Sequence, residues 1–203
     1  MQQNKQEIKL VLASGNEGKA REFRAILEPL GYRIILQKEL GIKSPEENGR
    51  SFVENAIIKA RYAAEQSGLS ALADDSGLCV DALGGAPGIY SARYSNGDDQ
   101  ANNEKLLREL EGVEDGRRTA CYWCALCLMR SADDAVPYVV QSNWQGSIGF
   151  KPVGSNGFGY DPLFRVKGRD CTAAQLPPQI KNLISHRASA LNRLVELIKF
   201  GAR

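Results

Sequence analysis

The sequence predicts an α/β protein built on a mixed, strongly twisted sheet in a single domain. Strand and helix patterns interleave through the first part of the chain, two long adjacent strand patterns follow, and a helix-periodic tail closes it. At 203 residues, 43% hydrophobic and 25% charged, the chain is long enough for a sizeable core and too apolar for a disordered one.

The elements follow from local pattern. Ile8–Ala13 (IKLVLA) predicts a buried strand and Ser14-Gly15-Asn16 a tight turn, with Ala20, Phe23, Leu27 and Leu30 at helical spacing beyond it. Tyr32–Leu36 predicts a second strand, and Leu40–Arg50 a loop carrying Pro45, Glu46, Glu47, Asn48 and Gly49. Ser51 with Glu54 has the capping-box signature. The helix it opens repeats its apolar residues at Val53, Ala56, Ile57, Ala60 and Ala64, which puts Asn55 and Lys59 together on another face. Leu69–Leu83 predicts strand, turn and strand around Asp74-Asp75-Ser76-Gly77, and Gly84-Gly85-Ala86-Pro87-Gly88 a loop. A short helix is expected at Asn102–Leu110. Long strands are expected at Thr119–Met129 and Val136–Trp144, joined through Ala132-Asp133-Asp134. A glycine-rich segment, Gly154 to Pro162, precedes a helical tail from Gln179 to Phe200, where Leu191, Leu194, Val195 and Ile198 share one face. With neither linker nor internal repeat, one domain over residues 1–203 is expected.

Composition narrows the function. Twenty-six basic and 24 acidic residues leave a net charge of +2, too balanced for a protein that neutralises a nucleic-acid backbone over many contacts. Apolar runs such as Cys124–Met129 fall far short of the roughly twenty residues of a membrane span. Lys9 interrupts the N-terminal apolar stretch and no small-residue cleavage site follows, so a cytoplasmic protein is expected. Five cysteines, Cys79, Cys121, Cys124, Cys127 and Cys171, suit free thiols in a reducing compartment. With His186 the only histidine, a divalent metal falls most simply to carboxylates and water. The spacing of Cys121, Cys124 and Cys127 is that of a cluster-binding run, but the segment reads as a strand in which Cys124 points away from the other two.

Four places can carry chemistry. Ser14-Gly15-Asn16-Glu17-Gly18-Lys19 lies where a strand turns into a helix, and a helix N-terminus offers unpaired donors and partial positive charge to an anion such as phosphate. The same residues also suit a plain strand–helix turn, since neither the P-loop nor the dinucleotide-binding glycine spacing is present. Asp74-Asp75 is flanked by Leu72-Ala73 and Leu78-Cys79-Val80, where buried carboxylates need a cation or hydrogen-bond donors. On extended backbone only one of the two reaches a given site, the other anchoring backbone or a lysine; a solvated β-turn is the competing account. Gly157-Phe158-Gly159-Tyr160-Asp161-Pro162 displays two aromatics and a carboxylate on bent backbone, suited to a flat heterocycle or simply to a turn. Ser185-His186-Arg187, one turn after Lys181, offers hydrogen-bond donors without a catalytic triad. Glu46, Glu47 and Lys59 taken alone are ordinary surface residues.

Five segments, SGNEGKAREF, SFVENAIIKAR, ADDSGLCVDALGGAPGIYSARY, GFGYDPLF and ISHRASAL, occur in this order from residue 14 to 191. Together they resemble the inosine triphosphate pyrophosphatase family, nucleotide hydrolases that remove deaminated purine triphosphates. The resemblance implies an elongated two-lobed α/β fold with a substrate cleft between the lobes, Mg2+ with Mn2+ as a substitute, and a homodimer. It implies that Ser14, Gly15, Asn16, Glu17, Gly18 and Lys19 hold the triphosphate with Lys59, that Asp75 is the catalytic carboxylate and that Ser76 meets substrate. Glu46 or Glu47, with Glu46 favoured, would join Asp75 on the metal. Phe158, Gly159, Tyr160, Asp161, Lys181, His186 and Arg187 would form the base pocket. Two departures stand out: Gln175-Leu176-Pro177-Pro178-Gln179-Ile180 replaces a glutamate-rich approach to the Ser-His-Arg motif, and Ser14 replaces a common threonine.

The implied reaction is hydrolysis of ITP, dITP or XTP between the α and β phosphorus atoms, with Asp75 orienting or deprotonating the attacking water. Donors from His186, Arg187 or backbone amides would match the purine 6-carbonyl, where adenine presents a donor instead. The alternatives are a pyrophosphatase for pyrimidine or other modified nucleotides, a nucleotide-binding module without turnover, and an iron–sulfur protein.

Overall fold

The computed structural model describes residues 7–201 and has the expected mixed α/β architecture. In chain order the elements are β1 (Ile8–Ala13), α1 (Glu17–Leu27), β2 (Tyr32–Leu36), α2 (Phe52–Ser67), β3 (Ala71–Val80), α3 (Asp99–Glu109), β4 (Thr119–Met129), β5 (Tyr138–Ile148), β6 (Phe164–Val166), α4 (Pro178–Ile184) and α5 (His186–Gly201). The strands form one six-stranded sheet in the order β2-β1-β3-β4-β5-β6, with β1 parallel to β2 and β3, and β5 antiparallel to β6.

The chain divides into two compact units. The first takes the chain up to Asp75, Ala125–Gln141 and the chain from Ala190; the second takes Ser76–Cys124 and Ser142–Ser189. In the first, β1 lies between its two parallel partners, with Leu10 beside Ile34 and Leu12 beside Leu72. Val11, Ala13, Ala71 and Ala73 pack against Ala56, Ala60, Ala63 and Ala64 of α2, all fully or almost fully buried. Alanines on both sides let the helix approach the strands closely, which brings the polar residues of α2 within reach of the sheet. Ser51 caps α2 by accepting from the Glu54 N–H at 3.2 Å. The Glu54 carboxylate reaches back across the cap, accepting from the Arg50 N–H at 2.6 Å and from the Ser51 hydroxyl at 3.1 Å. In the second unit Leu78, Val80, Leu106, Leu110, Tyr122, Trp144, Ile148 and Phe164 form the core.

Four sequence expectations need correction. The predicted strand, turn and strand over Leu69–Leu83 is one continuous strand, β3, that runs through Asp74-Asp75-Ser76-Gly77 without turning. The residues that favour a turn in isolation are held extended because each carboxylate meets a lysine, as described below. The tail is two helices rather than one, separated at Ser185, whose backbone is extended (φ −72°, ψ 164°). The Ser185 hydroxyl accepts from the Ala188 N–H at 3.2 Å and opens α5, so His186 and Arg187 stand in its first turn. α3 begins at Asp99, capped by Asp98, rather than at Asn102. β5 starts at Tyr138 and extends to Ile148, where it pairs with β6, a strand too short to register in the sequence pattern. Cys121, Cys124 and Cys127 lie in β4, as the strand reading requires, and burial pushes the Cys127 thiol up to about 12.

The turn after β4 is organised by Asp134, which accepts from the Arg130 guanidinium at 2.6 and 2.8 Å and from the N–H groups of Arg130 and Val136, both at 3.1 Å. The Arg130 hydrogen bond holds its carboxyl well below the usual carboxylate range. Because the folded value lies below the unfolded one, the stabilisation is present above about pH 4 and fades as the pH falls through the folded value. Asp134→Asn should therefore cost about 1 kcal/mol at neutral pH. Urea denaturation across pH checks this: the gap to the parent should narrow below about pH 4.

Candidate functional site

β1 ends opposite Ala73, so the turn that follows it stands beside the next two residues of β3, Asp74 and Asp75, at the carboxyl end of β1. The chain order also reverses there, since β2 and β3 flank β1 on opposite sides. Open α/β sheets bind ligands at such positions.

α1 begins at this place. Its cap, Asn16, accepts from the Lys19 N–H at 3.0 Å, while the Asn16 N–H donates to the Ser14 hydroxyl at 3.2 Å. Gly15 is exposed, and a Cβ added there would meet nothing within 4 Å, so neither packing within the chain nor a positive φ calls for glycine. An open approach to a helix N-terminus suits an anion. Glu17 pairs with Lys38, and Gly18 is half-buried in the first turn.

The two aspartates face opposite ways, as extended backbone requires. Asp74 is fully buried and accepts from Lys19 at 2.5 Å, anchoring the lysine in the first turn of α1. Asp75 lies on the α2 side, where Lys59 donates to its Oδ1 at 2.6 Å and Asn55 to its Oδ2 at 3.3 Å. Lys59 also contacts the Glu47 carboxylate at 3.1 Å. Asn55, wholly buried, accepts from the Gly49 N–H at 2.9 Å and so ties the acidic loop to Asp75. Of the two glutamates, the structure turns Glu47 toward Lys59 and leaves Glu46 exposed.

Burial opposes charge on both members of the Lys59–Asp75 pair. For Lys59 the attraction of Asp75 and Glu47 outweighs it, and the ammonium is held above its ordinary value. For Asp75 burial outweighs the attraction of Lys59, with Glu47 adding repulsion, and the carboxyl is raised. A buried carboxyl with its charge incompletely compensated makes a better proton acceptor and gains from a further cation. Hard carboxylate oxygens at Asp75 and Glu47 are the donors a divalent cation such as Mg2+ takes. Among the described residues no three His, Cys, Asp or Glu side chains converge as a complete ligand set, so Glu46, Glu47 and Asp75 are not gathered as a triad.

The remaining predicted residues lie in the second unit. Asp161 accepts from Lys181 at 2.5 Å, in a pair almost fully buried, and from the Phe158 N–H at 3.0 Å. Gly157, at φ +79°, permits this loop; a Cβ there would fall 2.0 Å from the Asp161 carboxylate. Lys181 and Arg187 lie over the Phe158 ring, 4.7 and 5.8 Å from its centroid. Arg187 donates to the Ser76 hydroxyl at 2.9 Å. His186 stacks on Tyr122 at 4.8 Å and 4°, a partner that sequence reasoning missed. The Tyr160 hydroxyl is buried and donates to the Ser91 carbonyl at 2.7 Å, so this aromatic supports the loop and leaves display to Phe158. Both the Phe158 and the Gly159 N–H are taken by carboxylates, the second by Asp99 at 2.7 Å, which leaves side chains rather than these amides to read a ligand.

The Ham1 family model matches residues 10–197. A dITP/XTP pyrophosphatase of Shigella flexneri is 51% identical over 195 residues, 95% of this chain and 99% of that protein. Among solved structures, a HAM1 protein from Coxiella burnetii is 46% identical with a TM-score of 0.86, over 95% of this chain and 98% of that one. A nucleoside-triphosphatase, dITP/XTP pyrophosphatase, from Mycobacterium abscessus is 41% identical with a TM-score of 0.71, over 94% and 100%.

The space beside Gly15 yields a direct prediction. Gly15→Val should change folding stability by less than about 1 kcal/mol. It should weaken binding of inorganic tripolyphosphate about tenfold, measured by calorimetry.

Proposed function

The chain belongs to the Ham1 family, and from that premise we propose that it hydrolyses the deaminated purine nucleoside triphosphates ITP, dITP and XTP to the monophosphate and pyrophosphate, cleansing the nucleotide pool. One observation carries the chemistry: the Lys59 ammonium lies 2.6 Å from Asp75 and 3.1 Å from Glu47. An acidic pair held around a buried lysine, in the unit that also carries the glycine turn and Lys19, is suited to phosphoryl chemistry.

The chain's own residues divide the work. The N-terminus of α1 and Lys19 bind the phosphate chain and stabilise charge on the departing pyrophosphate, Lys19 being held in place by Asp74. Asp75, with its raised carboxyl, orients or deprotonates the attacking water. Lys59 keeps Asp75 and Glu47 together and adds positive charge near the phosphates. Held by Asp75 and Glu47, Mg2+, with Mn2+ as a substitute, would neutralise phosphate oxygens and acidify bound water. In the second unit Phe158 offers a stacking face, while His186, Arg187 and Lys181 supply donors suited to a 6-carbonyl. An adenine amino group at that point would set donor against donor.

Coarser features of the reading have their own support. The five cysteines are free, as in a reducing cytoplasm. Among the described residues no helix is long and apolar enough to cross a membrane. The net charge of +2 favours a small-molecule substrate over nucleic acid. Assembly as a homodimer rests on the resemblance alone, and sedimentation at equilibrium tests it.

The decisive assay is a panel of nucleoside triphosphates with Mg2+, read by pyrophosphate release. Turnover should be confined to ITP, dITP and XTP; equal or faster turnover of pyrimidine nucleotides, or none of any, would overturn the assignment. Asp75→Asn should lower kcat at least about a thousandfold while the folded circular dichroism spectrum persists.

A further inference from the structure

Gly159 is the one residue of the Phe158–Asp161 loop whose two backbone groups are both held by another element. Its N–H donates to Asp99 Oδ2 at 2.7 Å, and its carbonyl accepts from Asn103 Nδ2 at 2.9 Å. Asp99 and Asn103 are one turn apart on α3, so a single helix face grips both sides of this part of the loop. Gly159 is at φ +61°, a left-handed conformation, and a Cβ there would meet nothing within 4 Å. On the Cβ side Gly159 is open, and the hydrogen bonds to Asp99 and Asn103 hold its two backbone groups.

The helix is itself anchored. Asp98 caps it through the Ala101 N–H at 2.9 Å. Asn102 accepts from the N–H and hydroxyl of Ser95 at 2.7 and 2.8 Å, and Lys105 donates to the Tyr94 carbonyl at 2.7 Å. The clamp on Gly159 is thus rigidly mounted, and Phe158 is the residue next to it.

We propose that Asp99 and Asn103 are positioning residues for the purine subsite, holding the Gly159 peptide so that the Phe158 ring is presented to the base in one orientation. This rests on the proposed function, in which Phe158 stacks on the purine. Neither residue touches substrate; each acts through Gly159. The Asp99 bond has a carboxylate acceptor and is the stronger of the two. Asp99 is also exposed, so its replacement leaves the core intact.

Two ligands separate base recognition from phosphate recognition: inosine monophosphate, which carries the base, and inorganic tripolyphosphate, which does not. In Asp99→Ala the affinity for inosine monophosphate should fall, and the KM for ITP should rise, about fivefold to tenfold. Tripolyphosphate affinity and kcat should stay within about twofold, and the melting temperature within a few degrees. Asp99→Asn keeps an acceptor and should recover most of the loss; Asn103→Leu should reproduce the KM effect more weakly. Phe158→Ala is the control for the subsite itself. If it weakens inosine monophosphate binding and Asp99→Ala does not, the clamp is wrong. If Phe158→Ala is also silent, the purine-subsite assignment beneath it falls. Parallel loss of kcat and tripolyphosphate binding in Asp99→Ala would mark a general structural role and overturn the proposal.

Discussion

Two adjacent carboxylates buried within one strand are the constraint on which the first unit depends. An uncompensated buried carboxylate is costly by several kcal/mol, so each aspartate of β3 must meet a cation or donors. The two-residue period of a strand sends Asp74 and Asp75 to opposite faces, and the two nearest helices each supply a lysine. Lys19 comes from α1, where the turn after β1 places it, and Lys59 from α2, whose alanine face lies close against the sheet. The glycine turn after β1, the acidic loop and the candidate base are in this way organised by the same pair of residues. Asp75 shares Lys59 with Glu47, and burial together with Glu47 repulsion outweighs the attraction of Lys59 and Lys19, so its carboxyl stays raised.

The second unit solves a different problem. Its glycine-rich loop carries backbone donors that would otherwise bind water, and the carboxylates of Asp161 and Asp99 take two of them. Lys181 sits on Asp161 and over the Phe158 ring, so the cation that compensates the buried carboxylate also faces the aromatic. Preorganisation of this kind lowers the entropy lost when a flat ligand binds. It also limits what the loop's amides can read directly.

Much of this was legible in the sequence, because the strongest signals are local. Ile8–Ala13 and Tyr32–Leu36 show their strands through apolar composition, Ser51 and Glu54 announce α2, and Asn55 and Lys59 fall on one helix face by spacing alone. The expectation that one aspartate anchors a lysine follows from strand alternation, and Lys19 is that lysine. What escaped depends on contacts between distant segments. Asp-Asp-Ser-Gly favours a turn locally, and only lysines at positions 19 and 59 show why it stays extended. The choice between Glu46 and Glu47 turns on which side chain the loop directs at Lys59, which no local pattern encodes. The short β6 is held by pairing with β5, and the stacking of Tyr122 on His186 joins residues far apart in the chain. The break at Ser185 was readable in principle, since serine is a strong helix cap, but helical periodicity on both sides masked it.

The central claim is that Lys59 neutralises Asp75 in a buried ion pair, and a double-mutant cycle on folding stability tests it most directly. Lys59→Met alone leaves Asp75 and Glu47 without their shared cation and should cost about 3 kcal/mol. If the pairing holds, adding Asp75→Asn relieves part of that loss, with a coupling energy of about 1 kcal/mol or more between the two sites. Strictly additive effects of the two substitutions would show that the lysine and the carboxylate do not depend on each other, and would contradict the account.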